Sequence, residues 1–425
     1  MKPFSPLNIL YAQAGGVTPV INTTLAAVIE TCQRHFGHIG ALYGARNGIL
    51  GVLHEDLVAL THTDTATLNQ LKHLPGGALQ ACRFDLDTEA DNPQQYERIY
   101  QVFKAHQIHA FLYNGGNGSM LTAQKVADYC ARRGHPIQVI GIPKTIDNDL
   151  AHTHCSPGYG SAAKFFATSL LEAALDLRAM YPTSTKVFIM EAMGRHTGWI
   201  ALSGALITEN LPDVPLQILF PERPFDYDAL LRRVKQDLSR HDHCVIVVAE
   251  GLRTADGELF AVARPNSLHR DWSQLGGAGI KLADELRRDL DTKVHVAVPD
   301  YLQRSAAHMV SLTDWEMAYD VGRAAVEAVL AGRTGVLPVI HKVAEDPFEW
   351  HTPYVDISTV ANAERPVPPS FIREDGYGAT QAAIDYLRPL IAGERPVFWH
   401  HGLPDLRPVQ FPAVDKRCPP WRHTP

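Results

Sequence analysis

Short apolar runs alternate with longer amphipathic stretches through the first three hundred residues of the chain. The apolar runs are rich in β-branched residues and have few polar positions, which is typical of strands buried on both faces of a parallel sheet. This pattern predicts strands at Asn8–Ala12, Ala110–Tyr113, Gln138–Ile142, Lys186–Met190, Cys244–Ala249 and Lys293–Val298.

The stretches between these runs repeat apolar residues every three or four positions, which is the period of an amphipathic helix. The helices predicted in this way are Thr23–Phe36, Asp91–His106, Met120–Arg133, Ser161–Tyr181, Asp226–His241 and Gly277–Asp289. Alternating strands and helices indicate an α/β fold, and 425 residues exceed the size at which a single core usually keeps growing. We therefore predict two doubly wound, Rossmann-like lobes.

Beyond Ala331 the chain becomes rich in proline, so we predict a C-terminal extension over residues 336–425 that packs on the lobes. No chemistry is assigned to this extension. Its His400-His401 pair is interpreted as surface rather than as a metal site, because adjacent side chains point to different sides in regular structure.

The composition of the chain indicates which classes of partner are not expected to bind it and in which cellular compartment it is expected. A net charge of −7 and a pI near 6.3 argue against a nucleic-acid or membrane-surface partner. With no signal-like N-terminus and no apolar stretch approaching about 18 residues, we expect a cytoplasmic protein. The six cysteines form no C-x-x-C pair and are interpreted as reduced thiols.

Candidate chemistry lies in three loops that follow predicted strands. The segment Gly141–Asp149 places a Lys, a Thr and two Asp residues close together, and Gly15-Gly16 and Gly115–Ser119 are rich in glycine. Without Cβ atoms in the way, backbone N–H groups approach phosphate oxygens closely. An isolated Asp-Asn-Asp would be read as a turn with a helix cap. Beside two glycine loops, it instead indicates a site that moves a proton and holds a phosphate.

Three further motifs follow in order: Met193-Gly194-Arg195, Ala249-Glu250-Gly251 and Tyr301-Leu302-Gln303-Arg304. Together with the loops above, they make the chain resemble the phosphofructokinases from about Ile9 to Leu330. The opening segment Tyr11–Asn22 and the Pro-Lys-Thr-Ile-Asp-Asn-Asp form are most similar to the bacterial pyrophosphate-dependent branch. The resemblance implies a glycolytic transferase that phosphorylates the 1-hydroxyl of fructose 6-phosphate, potentially reversibly.

The resemblance also implies a division of the chain. Residues 1–160 would form the phosphoryl-donor lobe, completed by about 305–335, which include a helix at Trp315–Leu330. Residues 161–304 would form the fructose 6-phosphate lobe.

Roles for individual residues are carried over from the family. Asp147 would be the base, Thr145 would contact the transferred phosphoryl group, and Lys144 would neutralise the leaving phosphate, with Arg195 beside the reacting phosphate. The positions matching the sugar-phosphate site are Met193, Gly194, Glu250, Tyr301 and Arg304. Lys186 and His295 match cations that reach this site across a subunit interface in relatives. The positions matching the donor site are Gly15, Gly16, Arg83, Gly116, Gly118 and Ser119. Asn117 and Asp149 would hold Mg²⁺.

Ordinary structural roles stay open for some of these residues. Asp149 could cap the following helix, Lys144 and Lys186 could be solvated surface charges, and Arg83 could be an ion-paired structural residue. Asn117 stands where relatives carry an Asp, and an amide oxygen attracts a hard cation less than a carboxylate does. The metal affinity should then be lower than in relatives, or Asp147 and Asp149 would hold the ion alone.

The donor is where the family determinants disagree. ATP-using relatives have glycine at the position of Gly118, whereas pyrophosphate users have an Asp there that excludes the α-phosphate. Lys144, however, is the pyrophosphate-type residue. Val20 and Thr122 replace small glycines that face adenosine in ATP users, and their branched side chains would crowd a nucleotide. We therefore predict pyrophosphate as the donor, with ATP as the alternative.

The sequence leaves two other functions open. A kinase of the same fold could act on another sugar phosphate or polyol, and a non-catalytic paralogue could bind sugar phosphate and regulate a partner. Residues contributed across an interface predict a homodimer or homotetramer rather than a monomer.

Overall fold

The structure is a computed structural model, and it describes residues 6–262, 276–361 and 363–421 of the 425-residue chain. Its strands are β1 Leu7–Gln13, β2 Ile39–Ala45, β3 Leu57–Ala59, β4 Ile108–Gly115, β5 Gln138–Pro143, β6 Val187–Ala192, β7 Leu216–Leu219, β8 Cys244–Ala249, β9 Val294–Ala297, β10 Val336–Pro338, β11 His341–Glu345, β12 Phe348–His351, β13 Tyr354–Asp356, β14 Trp399–His400 and β15 Leu403–Pro404. Its α-helices are α1 Ile21–Arg34, α2 Gly48–His54, α3 Thr65–Leu71, α4 Pro93–Ala105, α5 Asn117–Arg132, α6 Tyr159–Met180, α7 Trp199–Ser203, α8 Tyr227–His241, α9 Ala278–Asp289, α10 Leu302–Ser305, α11 Leu312–Leu330, α12 Ile357–Val360 and α13 Gln381–Leu390.

The larger sheet has seven strands in the order β13-β10-β5-β4-β1-β2-β3. Its central strands are parallel, and the end strands β3 and β13 run antiparallel to their neighbours. The smaller sheet has four parallel strands in the order β7-β8-β6-β9. Both sheets consist of short apolar strands, and all six residues of β8 are buried. The predicted α/β fold with parallel sheets is confirmed.

All six predicted strands and all seven predicted helices are present, with ends that differ by a few residues. One difference matters for the site, because α5 begins at Asn117 rather than at Met120. The second half of the glycine loop is therefore the first turn of a helix.

The segment predicted as a C-terminal extension contributes to the larger sheet, because β10 pairs with β5 and β13 pairs with β10. Helix α11 packs against α1, which returns the chain to the larger sheet after the smaller one is complete. One apolar cluster runs from β1 and β4 through α6 to β8. The division of the chain at residues 160, 304 and 335 stays a prediction.

Candidate active site

A cleft of about 1480 Å³ opens at the carboxyl ends of strands from both sheets. Residues directly after β1, β4, β5, β6 and β8 line it. Ligands of open parallel sheets bind at this end of the strands. The cleft is therefore where the two sheets would present their loops to a shared ligand.

Most of the predicted site residues line this one cleft. They are Gly15, Gly16, Arg83, Gly116, Asn117, Gly118, Ser119, Lys144, Thr145, Asp147, Asp149, Met193, Arg195, Glu250, Tyr301 and Arg304. The predictions placed these residues in separate motifs along the sequence, and the fold brings them together.

Two predicted cations lie elsewhere. Lys186 does not line the cleft and pairs with Asp242, while His295 is exposed on β9, an edge strand of the smaller sheet. Any role for them in a cleft requires a second copy of the chain, as the prediction states.

The loop after β5 is held in shape by distant parts of the chain. Asn148 is fully buried with a left-handed φ of 54°, and its side-chain amide donates to the Tyr386 hydroxyl at 2.8 Å. Arg365 donates through its guanidinium to the Asn148 carbonyl oxygen at 3.0 and 3.2 Å. The backbone between Asp147 and Asp149 is thus fixed from the C-terminal segment.

Lys144 is buried, with 4% of its surface exposed, so the alternative of a solvated surface charge is wrong. Its Nζ donates to the carbonyl oxygen of Gly16 at 2.5 Å. Burial lowers the pKa of Lys144 to about 8, although the neighbouring Asp147 carboxylate opposes this shift. A buried ammonium beside a carboxylate is a strong local source of positive charge in a cleft.

Two carboxylates face the cleft beside this lysine. Burial raises the pKa of Asp147, and the charges of Lys144 and Arg83 oppose the rise. Burial and the charge of Asp147 raise the pKa of Asp149 to about 7. The pair therefore holds protons more readily than isolated aspartates do.

The alternative role of Asp149 as a helix cap is wrong. The following helix, α6, begins at Tyr159, and the residue at its N-cap is Gly158. The backbone carbonyl of Asp149 instead accepts from Arg365 N at 2.7 Å, and Asp149 lines the cleft.

The first turn of α5 lines the part of the cleft that the sequence predictions assign to the phosphoryl donor. The first amide groups of a helix have no partner within it and face outward with the positive end of the helix dipole. Gly116, Asn117, Gly118 and Ser119 of this turn line the cleft. Such a helix start is suited to a phosphate.

The Asn117 side chain has two possible amide orientations. In one, its nitrogen lies 3.5 Å from Asp149 Oδ2. Turning the amide over lets the nitrogen donate to the carbonyl oxygens of Val360 and Ala363 at 3.0 and 3.2 Å and leaves the oxygen facing Asp149. Two oxygens that face each other without a donor between them suit a cation.

Two arginines converge on Gly16. A Cβ at Gly16 would lie 3.0 Å from Arg304 Nη1 and 3.6 Å from Arg83 Nη2. Arg304 also stacks on the Tyr301 ring, 4.0 Å from its centroid. Within the described residues Arg83 forms no ion pair with a carboxylate, which argues against the ion-paired structural alternative, and its donor-site role stays a prediction.

The loop after β6 meets the loop after β8. Glu250 Oε1 accepts from Gly194 N at 3.1 Å, and burial raises the pKa of Glu250. Gly194 has a φ of 140°, and a Cβ there would clash with the Thr197 carbonyl oxygen. Gly194 thus shapes the turn that carries Met193 and Arg195 into the cleft without lining the cleft itself.

The prediction that Val20 crowds a nucleotide is wrong. Val20 is 1% exposed and packs with Val310 and Ala318 in a small apolar cluster. The turn before α1 directs its side chain into the core. Thr122 does line the cleft, so steric crowding depends on Thr122 alone.

Sequence reasoning missed several residues that line the cleft, among them Asp85, Glu191 and Glu364. Glu191 accepts from Gly277 N and Gly279 N at 3.0 and 2.7 Å and so caps the start of α9. Glu364 pairs with His196 at 2.6 Å. Asp85 and Glu191 each lie two residues from a predicted site residue, and this closeness in sequence could have identified them. Glu364 belongs to the C-terminal segment, where no predicted site residue lies nearby.

In the described parts of the chain, no group of three His, Cys, Asp or Glu side chains could hold a metal ion. A Mg²⁺ site needs fewer protein ligands, because this ion is usually held by one or two carboxylates together with substrate phosphates and water. None of the described helices combines the length and apolar character needed to cross a bilayer.

Known proteins share this sequence and fold. The family model described as Phosphofructokinase matches residues 8–329. A relative from Xanthomonas campestris pv. campestris, named pyrophosphate--fructose 6-phosphate 1-phosphotransferase, is 46% identical over 97% of this chain and 99% of its own length. A relative of the same name from Halomonas elongata is 44% identical over 98% of this chain and 99% of its own. The crystal structure of the pyrophosphate-dependent phosphofructokinase from Nitrosospira multiformis covers 98% of this chain and 100% of its own, with 41% identity and a TM-score of 0.90. This chain belongs to the phosphofructokinase family.

Proposed function

We propose that this protein transfers a phosphoryl group from pyrophosphate to the 1-hydroxyl of fructose 6-phosphate, which yields fructose 1,6-bisphosphate and phosphate. Three relatives that carry the name of this activity are 43–46% identical over nearly the whole chain. The cleft contains the charges that the reaction requires: a buried cation, two carboxylates and two converging arginines.

The burial of Lys144 is the observation that supports pyrophosphate as the donor. When pyrophosphate is cleaved, the leaving group is a small phosphate that departs with high negative charge. An ammonium fixed at the Gly16 carbonyl stabilises this charge as it develops, because its position is set before the reaction begins.

The transfer itself requires a base and alignment. The 1-hydroxyl oxygen attacks the near phosphorus, the bond from that phosphorus to the bridging oxygen breaks, and the hydroxyl proton passes to Asp147. The raised pKa of Asp147 fits this role, since a carboxylate whose pKa is raised by burial accepts a proton more readily than an ordinary aspartate does. The Thr145 hydroxyl, which accepts from Asp147 N at 3.0 Å, holds the loop at the reacting phosphate.

The other wall of the cleft supplies the sugar site. Glu250 would accept hydrogen bonds from sugar hydroxyls, with Met193 and Gly194 forming the turn beside it. Arg304 and Tyr301 are assigned to the 6-phosphate, and Arg195 to the reacting phosphate. The cation–π contact between Arg304 and Tyr301 pre-orients the guanidinium for a phosphate.

Mg²⁺ is the cofactor that fits the donor end. Asn117 and Asp149 would hold it, since their facing oxygens suit a hard cation. The ion would neutralise charge on the pyrophosphate oxygens. Asn117 supplies no charge, so the carboxylate of Asp149 provides the electrostatic attraction.

A homo-oligomer completes the proposal. Lys186 and the exposed His295 lie outside the cleft of their own chain, on or beside strands of the smaller sheet. A second copy packed against this sheet would bring them to a neighbouring sugar-phosphate site. Sedimentation of the purified protein would test this, and a monomer that is fully active would contradict it.

ATP is the second candidate donor, and Gly118 is the observation that favours it, because no Cβ narrows the cleft there. Radiolabelled pyrophosphate and ATP, each tested with fructose 6-phosphate, separate the two donors. The same assay with other sugar phosphates tests the acceptor. No transfer with either donor, alongside binding of fructose 6-phosphate, would indicate the non-catalytic alternative.

A further inference from the structure

The space beside Gly118 is faced by a carboxylate from another loop. Outside its own helix, the one described heavy atom within 4 Å of a Cβ built on Gly118 is Asp85 Oδ1, at 3.6 Å. Asp85 follows Arg83 in the loop before α4 and lines the same cleft. The glycine therefore opens a space that a negative charge borders.

This carboxylate is not neutralised within the described residues. Asp85 is exposed and forms no ion pair there. Burial raises the pKa of the Cys82 thiol, and the charge of Asp85 raises it further. The same carboxylate adds to the rise that burial causes in the pKa of Tyr113. The negative field of Asp85 thus reaches the wall of the cleft on this side.

A donor longer than pyrophosphate has to pass this point. In the proposed donor site, two phosphates held between Lys144 and the start of α5 would fill the region around Gly16 and Gly116. A third phosphate and a nucleoside would extend along the first turns of α5, past Gly118 and Thr122, which both line the cleft. Asp85 borders this route.

We infer that Asp85 is a donor-specificity residue, whose carboxylate repels the additional phosphate of a nucleotide and so reserves the donor end for pyrophosphate. The inference rests on the proposed function. Like charges brought together without compensation disfavour binding, and repulsion is an effective way to exclude a wrong ligand. The open space at Gly118 then does not admit ATP, because the carboxylate comes from position 85.

The variant Asp85→Asn removes the charge and keeps the shape. It should raise kcat/KM for ATP by at least about tenfold while kcat/KM for pyrophosphate stays within about threefold. Binding of a non-hydrolysable ATP analogue, followed by calorimetry, should tighten in parallel. The matched control is Glu285→Gln, which removes one charge from the same cleft but on α9, packed against the smaller sheet. It should not raise ATP use.

A second variant moves the charge instead of removing it. In Asp85→Asn/Gly118→Asp the carboxylate returns to the same space from α5, and the gain in ATP use should disappear. Gly118→Asp alone places two carboxylates together, so it should lower turnover with pyrophosphate relative to the double variant.

The outcomes separate this inference from the proposed function. Wild-type protein that does not use pyrophosphate would contradict the proposed function itself. Active wild-type protein whose Asp85→Asn variant shows no gain in ATP use or analogue binding would overturn the role of Asp85 alone. A gain of the same size in Glu285→Gln would also overturn it. A large loss of pyrophosphate turnover in Asp85→Asn would overturn it too, because that loss would place Asp85 among the donor ligands.

Discussion

Lys144 Nζ donates a hydrogen bond to the backbone carbonyl oxygen of Gly16 at 2.5 Å. This bond joins the loop after β5, which carries the carboxylates, to the loop after β1. It fixes the ammonium at the point where the two arginines also converge. The three cations therefore surround one position, which we assign to pyrophosphate.

Replacing Lys144 with Met should lower kcat with pyrophosphate by about 10²–10³-fold, because a fixed charge that acts on the departing phosphate is lost. KM should change much less, since this stabilisation is mainly realised in the transition state. Steady-state kinetics measure both. Lys235→Met, at an exposed position on α8, is the control for loss of a surface charge. Unchanged kcat in Lys144→Met would remove Lys144 from the mechanism.

The pH dependence of turnover should also report Lys144. Its pKa is lowered to about 8, so the charged form is lost as pH rises through that value. Activity that needs the charge should then fall on the alkaline side near pH 8. The alkaline fall should be absent from the residual activity of Lys144→Met, and a fall of equal size in both proteins would assign it to another group.

Replacing Asp147 with Asn should lower kcat by about 10²–10⁴-fold, since the amide keeps the shape but accepts no proton. The backbone N–H of residue 147 still donates to Thr145, so the loop should keep its form. A thermal melt checks that the fold is intact. Normal turnover in a folded Asp147→Asn protein would show that another group takes the proton.

The bracing of the catalytic loop is tested by Tyr386→Phe. The lost hydroxyl accepts from Asn148 and donates to the His154 carbonyl oxygen, both at 2.8 Å. We expect a stability loss of about 1–2 kcal/mol and a several-fold lower kcat. Tyr377→Phe removes a hydroxyl that donates to the backbone carbonyl oxygen of Asp226, away from this loop. This control variant should leave kcat unchanged. Equal kcat values for the two variants would contradict a positioning role for Tyr386.

The predictions of the fold succeeded where a strand is a continuous apolar run, as in Cys244–Ala249, because such a run has few other stable environments. They missed β2, β3 and β7, which are short or interrupted by glycine. They also did not show that β10 and β13 join the larger sheet. That pairing depends on contacts far along the chain, which local periodicity does not encode.

The site was predictable where its residues follow strands, since the carboxyl ends of parallel strands meet at one edge. Lys144 and Asp147 were found in this way. Arg365 and Tyr386 were not, because they reach Asn148 across more than two hundred residues of sequence. Val20 was misplaced because sequence position gives no indication of which way a loop side chain turns.

The ratio of kcat/KM for pyrophosphate to that for ATP, measured on the wild-type protein with saturating fructose 6-phosphate and Mg²⁺, tests the choice of donor most directly. We predict that pyrophosphate is strongly preferred and that one fructose 1,6-bisphosphate forms for each pyrophosphate consumed. Faster turnover of ATP than of pyrophosphate would contradict the roles assigned to Lys144 and Asp85 together.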